Sequence, residues 1–213
     1  MNPLAARVMS TVAGQLGNPH GLLGKGTALM LNRVNRFLIE EAVRAAAPVA
    51  GETVADIGFG GGVGLSLLLD QVGPTGNVQG VEISPDMLNR ARAGFAAQIG
   101  AGRLQVMAGS LTELPFAKAS LDAAITVNTI YFVPELDRVC AEFARVLRPQ
   151  GRAVIGIGDP DGMAKMPFTE FGFRLRPVPE VIAALEAAGL VVEDRAVDHK
   201  PVPGHLLIAR PKN

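Results

Sequence analysis

Short apolar runs alternate with amphipathic stretches along most of the chain. Val54–Ile57 is a β-compatible run, and Leu65, Leu67, Leu68 and Leu69 follow at a spacing suited to a helix packed on a sheet. The same alternation predicts further strands at Asn77–Ile83, Leu104–Ala108, Leu121–Val127 and Arg152–Ile157. Ser84-Pro85-Asp86 opens a helix, with Ser84 as N-cap and Pro85 in the first turn, and Leu88, Ala91, Phe95 and Ile99 form its apolar stripe. Leu136–Leu147 is helical in pattern, and Pro149-Gln150-Gly151 turns the chain into the fifth strand. Pro179–Ala188 predicts a last helix closed by Gly189. Leu190–Asp198 and Gly204–Ala209 complete the strands, the last expected to run antiparallel at or beside an edge. Strands recurring between helices predict a three-layer α/β fold with a mostly parallel, seven-stranded sheet.

The first fifty residues read differently. Met1–Gly26 is rich in small residues and breakers, with a short helix expected at Leu4–Val12 and irregular chain at Asn18-Pro19-His20-Gly21. Thr27–Ala46 is helical, with Leu29, Leu31, Val34, Leu38 and Val43 on its apolar side. Residues 1–47 are therefore expected to cap one α/β core, residues 48–213, within a single domain. The Pro- and Gly-bearing stretch Gly158–Pro177 is a flexible-loop candidate near the carboxyl end of the sheet.

Composition narrows the partners. The 213 residues are 48% hydrophobic, enough for one sizeable core, and 20 basic residues balance 20 acidic ones. That balance offers no overall electrostatic grip on nucleic acid or an anionic membrane, so neither is expected as a partner. The single Cys140 sits among apolar helical positions and reads as packing; it permits no internal disulfide. No 18-residue apolar span or secretory cleavage signal is evident, so a cytoplasmic protein is expected.

The chemistry gathers at VADIGFGGGVG, Val54–Gly64. A strand, a glycine-rich turn and a helix start together offer free backbone N–H groups to a polar ligand. Asp56, just before the first glycine, would repel a pyrophosphate but accept hydrogen bonds from a cationic or hydroxyl-bearing group. Glu82, near the end of the second strand, can accept from both hydroxyls of a ribose. Gly109, Ser110 and Leu111 leave the third strand, and Asn128 ends the fourth, so four strand exits converge if the sheet is parallel. A dinucleotide site also uses an acidic residue at the second strand. The stricter GxGxxG spacing fails here, because Gly58 and Gly60 would require glycine where Val63 stands. An NAD(P)-dependent oxidoreductase and a noncatalytic α/β interaction domain remain open as alternative readings.

These segments resemble the class I S-adenosylmethionine-dependent methyltransferases, particularly the small UbiE-like, or type 11, group. VADIGFGGGVG is similar to their first motif, VEIS with Gly80 before it to their acidic second-strand end, and AGSLTELPF to their adenine-side loop. FARVLRPQGR resembles the segment leading into their next core strand, and the likeness runs from about Ala45 to Arg210. The resemblance implies a Rossmann-like sandwich that binds S-adenosylmethionine and releases S-adenosylhomocysteine after methylating a small-molecule acceptor. It implies that Asp56 and the Gly58, Gly60 and Gly62 backbone hold the methionine end, and that Glu82 binds the ribose. Ile83, Ser110 and Leu111 would border the adenine, and Asn128 would lie near the methyl-transfer opening. Ser110 departs from the Asp or Asn often found there, which leaves water or the Leu111 backbone to meet the adenine amino group.

Methyl transfer to a ready nucleophile needs little side-chain chemistry, since alignment and exclusion of water supply much of the acceleration. An alcohol or phenol would benefit from deprotonation, for which His20 is the first candidate, and Tyr131 could orient an acceptor. Asn32 and Asn35 could face the cleft; Asp159 and Asp161 suit an Asp-rich turn or a substrate contact. Phe168, Phe171 and Phe173 could wall an apolar pocket, whereas His199 and His205 read as structural or surface residues. No His, Cys, Asp and Glu spacing suggests a metal site.

Overall fold

The computed structural model describes residues 14, 35–200 and 202–212. Seven strands form one sheet: β1 (Thr53–Ile57), β2 (Asn77–Glu82), β3 (Leu104–Ala108), β4 (Leu121–Val127), β5 (Leu147–Gly158), β6 (Leu190–Val197) and β7 (Gly204–Pro211). Their order is β3-β2-β1-β4-β5-β7-β6. The first five are parallel, and β7 inserts antiparallel between β5 and β6. The last strand is thus antiparallel and lies beside the edge, as its sequence position and pattern predict.

The longer helices are α1 (residues 35–46 as described), α2 (Val63–Val72), α3 (Pro85–Gly94), α4 (Leu136–Val146) and α5 (Val178–Ala187). Side chains alternate across each strand, so Val154 and Ile208 belong to one apolar layer while Ala153, Ile155 and Leu207 belong to the other. Leu38, Ala42 and Val43 of α1, Leu65 and Leu68 of α2 and Leu88 of α3 fill the first layer. Val139 and Phe143 of α4 and Val181 and Leu185 of α5 fill the second, together with buried Cys140. This is the predicted three-layer sandwich, held by two cores on opposite faces of a shared sheet. Because β1 pairs with both β2 and β4, chain direction reverses outward on either side of it, and a crevice opens at its carboxyl end.

Three local differences have physical causes. The helix expected from Ser84 through Ile99 breaks at Phe95 (φ −113°, ψ 25°), directly after the poor helix former Gly94, and resumes as a short turn at Ala96–Gly100. The fifth strand begins at Leu147, where helical pattern had been expected to persist. Its register jumps from Leu121↔Leu147 to Ala123↔Arg152, so the predicted Pro149-Gln150-Gly151 turn is a bulge within the strand. Gly158–Pro177 is fastened rather than free. Asp159 caps a turn at Pro160–Met163 by accepting from the Gly162 N–H (2.8 Å), and Thr169 Oγ1 donates to the Met166 carbonyl (2.8 Å). Farther on, the Arg174 N–H donates to the Tyr131 carbonyl (2.9 Å), and Arg176 donates to those of Ile130 (2.9 Å) and Val133 (2.6 Å).

Arg152 ties α1 to the sheet. Its guanidinium donates to the carbonyls of Ala46 (2.5 Å), Ala47 (2.8 Å) and Asp122 (3.0 Å) and to both Glu52 oxygens (2.6 and 2.8 Å). Arginine at a helix C-terminus satisfies carbonyls that have no partner within the helix. Arg152→Met should therefore cost about 2–3 kcal/mol and lower Tm by roughly 5 °C or more, measured by thermal unfolding. An unchanged Tm would show that this anchor adds nothing.

Candidate functional site

The site begins where β1 gives way to α2. The Gly58 N–H donates to the Val81 carbonyl (2.7 Å), which holds the turn against β2. Gly58 has φ +74°, and a Cβ there would stand 2.4 Å from Thr129 Cγ2. Conformation and close approach both demand glycine. Thr129 belongs to the loop after β4 and meets Thr126, whose hydroxyl donates to the Ile57 carbonyl (2.8 Å). The pair locks the two loops that flank the crevice. Nothing in the sequence pattern singled out these threonines.

Asp56 is 6% exposed, at the mouth of the cleft beneath the first turn of α2. A side chain at position 64 would collide with it, since a Cβ on Gly64 would lie 2.2 Å from Asp56 Oδ2. The Leu65 N–H hydrogen-bonds the carboxyl, a helix N-terminus receiving negative charge. Burial first and the nearby Glu82 charge second nevertheless push its pKa up to about 8. Glu82 is organised from the backbone. Its Oε1 accepts from the N–H groups of Ile83 (2.8 Å) and Ser84 (3.0 Å), and its Oε2 accepts from the Gly60 N–H (2.9 Å). That leaves acceptor capacity on Oε2 for a ligand hydroxyl.

A cavity of about 560 Å³ spans this crevice, a size that suits a cofactor together with a small acceptor. Asp56, Gly58, Gly60, Glu82, Ile83, Ser110, Leu111, Asn128 and Tyr131 all border it, so four strand exits do converge. Gly62, also expected at the cofactor, sits one residue behind the lining as the N-cap of α2. Ile83 is 60% exposed, an apolar shelf beside the carboxylates. Ser110 Oγ accepts from the Thr112 N–H (3.2 Å) and meets Thr112 Oγ1 (2.9 Å), so this hydroxyl satisfies its own loop.

The far half of the cavity is apolar and aromatic. Phe168 and Phe173 line it with Phe132, Met163 and Met166, and the Phe132–Phe173 ring centroids are 4.7 Å apart. Phe171 is not part of this wall. Tyr131 is buried, its hydroxyl accepting from the Gly158 N–H (2.6 Å) and lying 3.2 Å from Asn128 Oδ1; burial pushes the phenol well above its ordinary pKa. Such a hydroxyl is built to hold position rather than to take up protons at neutral pH.

His199, read from sequence as structural or surface, lines the cavity and stacks on Phe37 of α1 at 4.3 Å. Spacing gave no sign of this, because the contact joins residues 162 apart in sequence. His205 instead pairs with Asp194 (3.0 Å) and faces Asp159 (3.7 Å), while Asp161 lies in the adjoining helical turn. Asn35 faces the cavity; His20 and Asn32 lie outside the described residues. No group of three or more metal-ligating side chains occurs among the described residues. None of their helices is long and apolar enough to cross a membrane.

This architecture, a seven-stranded sheet with an acidic pair at its switch point, is that of the class I methyltransferase fold. A family described as "Methyltransferase domain" matches residues 55–155. The match covers just under half of the chain, and the fold is shared with solved methyltransferases. The chain is 33% identical over 149 residues to an arsenite methyltransferase of Halobacterium salinarum, covering 70% of this chain and 36% of that protein. It is 36% identical over 113 residues to a nocamycin O-methyltransferase of Saccharothrix syringae, covering 53% and 39%. The chain thus spans somewhat over a third of the length of these relatives. In fold it matches a SAM-dependent methyltransferase from Aquifex aeolicus (TM-score 0.71, 23% identity, 86% of this chain and 96% of that one). It also matches a geranyl diphosphate C-methyltransferase from Streptomyces coelicolor solved with S-adenosyl-L-homocysteine (TM-score 0.71, 17% identity, 92% and 88%).

Asp56 makes stability depend on pH. Its carboxyl holds a proton in the folded protein up to about pH 8 but would lose it near pH 4 when unfolded. Between those values the native state binds more protons, so stability falls as pH rises. Asp56→Asn, which stays neutral, should raise Tm at pH 8 by at least about 2–4 °C, corresponding to roughly 1 kcal/mol, with little effect at pH 4. Parallel pH profiles of Tm for the two proteins would contradict this origin.

Proposed function

We propose that the chain transfers a methyl group from S-adenosylmethionine to a small-molecule acceptor. The observation carrying this reading is the buried Asp56 carboxyl, set at the N-terminus of α2 beside a Glu82 that retains acceptor capacity. Both suit a ligand with a cationic amino-acid end and a hydroxyl-bearing ribose, and neither suits a pyrophosphate. Asp56 receives the α-ammonium group, which replaces the proton the carboxyl otherwise keeps. Gly58 and Gly60 bring the backbone close to this end, Glu82 accepts from the ribose, and Ile83 and Leu111 give the base two apolar contacts. The loop of Ser110 frames the base without spending its hydroxyl on it. Asn128 and Tyr131 border the passage to the aromatic half, where the acceptor sits.

When bound, the donor would supply a methyl group on cationic sulfur, open to in-line attack by an acceptor lone pair, with the thioether as leaving group keeping the C–S bond pair and any acceptor proton passing to solvent. The protein's part is to align the acceptor and exclude water, for which the Phe and Met walls are suited. Similarity to an arsenite methyltransferase and a nocamycin O-methyltransferase supports a small acceptor.

Isothermal titration with S-adenosylhomocysteine and with NAD tests the donor. Saturable binding of the former and none of the latter is expected; tight NAD binding without a response to S-adenosylhomocysteine would overturn the proposal. Asp56→Ala should weaken S-adenosylhomocysteine at least about tenfold, or ~1.4 kcal/mol, and unchanged affinity would remove Asp56 from the site.

A further inference from the structure

A chain of hydrogen bonds runs along the wall between the two halves of the cavity, and its direction is set at one end. The Gly158 backbone N–H can only donate, and it donates to the Tyr131 hydroxyl oxygen at 2.6 Å. The Tyr131 hydrogen must then go elsewhere. Of the two acceptors within reach, the Gly158 carbonyl is 3.5 Å away and Asn128 Oδ1 is nearer at 3.2 Å, so the hydrogen goes to Asn128 in a long hydrogen bond. With its oxygen turned to Tyr131, Asn128 presents its nitrogen to Asn35, donating from Nδ2 to Asn35 Oδ1 at 3.1 Å. Asn35 consequently directs an NH2 group, not a carbonyl, toward the remaining space. Among the described residues, nothing accepts from it.

With the Tyr131 hydrogen on Asn128 Oδ1 and Asn128 Nδ2 on Asn35 Oδ1, the chain ends in the NH2 group of Asn35, which donates and does not accept. Asn35 itself borders the cavity, and beyond it stand the rings of Phe132, Phe168 and Phe173 with Met163 and Met166. A cationic amine would bring N–H groups against N–H groups in an apolar chamber, leaving both unpaired. An anionic or carbonyl oxygen would satisfy them.

We propose that the acceptor is an apolar, ring-bearing molecule that presents an oxygen with free lone pairs to Asn35, and that cationic amines are rejected there. This rests on the methyltransferase reading for the chemistry performed, whereas the polarity of the wall rests on this chain's own hydrogen bonds.

The test pairs 1-naphthol with 1-naphthylmethylamine, titrated with and without S-adenosylhomocysteine. Naphthol should bind at least about tenfold more tightly, and its ionisation, followed by absorbance, should shift to lower pH when bound. Asn35→Asp retains the oxygen that accepts from Asn128 but turns an acceptor toward the chamber. It should reverse the preference and raise the pH at which bound naphthol ionises, a change that mere loosening of α1 would not produce. Asn35→Leu should abolish the discrimination. Equal binding of the two probes by the native protein, or the same preference in Asn35→Asp, would overturn the inference. Failure of S-adenosylhomocysteine to bind while naphthol is still preferred would instead overturn the donor reading and leave the polarity of the wall supported.

Discussion

The structure depends on keeping a carboxyl group buried at the start of a helix. Asp56 lies under the first turn of α2, with the Leu65 N–H as partner and Glu82 as an unfavourable neighbour. Such a group is expensive in an apolar interior unless it is neutral or paired. The fold accommodates it through Gly64, whose missing Cβ is the space Asp56 occupies, and by bending the turn through a left-handed Gly58 wedged against Thr129. The raised pKa marks a site that is unfavourable for negative charge without a ligand and favourable for it once a cation arrives.

Around that constraint, the polar groups of the crevice are divided by sign. Near β1 and β2 stand the acceptors Asp56 and Glu82. Near β4 and β5 the Gly158–Tyr131–Asn128–Asn35 chain ends in a donor. The two halves have different demands: one suits hydrogen-bond donors, the other an oxygen lone pair. The aromatic and methionine side chains of the far half are suited to excluding water, which would strengthen polar contacts there. The segment from Gly158 to Pro177 closes the second half because its backbone is pinned to the loop after β4 by Arg174 and Arg176. Sequence composition alone made that segment look free, since Pro and Gly report where regular structure stops and not whether distant donors fasten the chain.

The sheet was legible because its pattern is local. Runs such as Val54–Ile57 and Leu121–Val127, separated by helical stripes, require only near neighbours to be recognised, and strand edges moved by few residues. The bulge at Arg148–Gly151 and the break at Phe95 were less legible, because the first depends on a register with β4 and the second on packing beyond the 3.6-residue repeat.

Taken by itself, the sequence determined the alternating fold, the glycine turn, and an acidic pair at the ends of the first two strands. Those features follow from residue type and spacing along a continuous backbone. Only the tertiary structure decided how the pair is charged and how the acceptor wall is polarised. Asp56 owes its proton to burial and to Glu82, 26 residues away, and Asn35 owes its exposed NH2 group to a donor at Gly158, 123 residues away. The turn of Val54–Gly64 names the kind of donor it suits. Across the cleft, the Gly158 N–H begins the chain of hydrogen bonds that ends at Asn35.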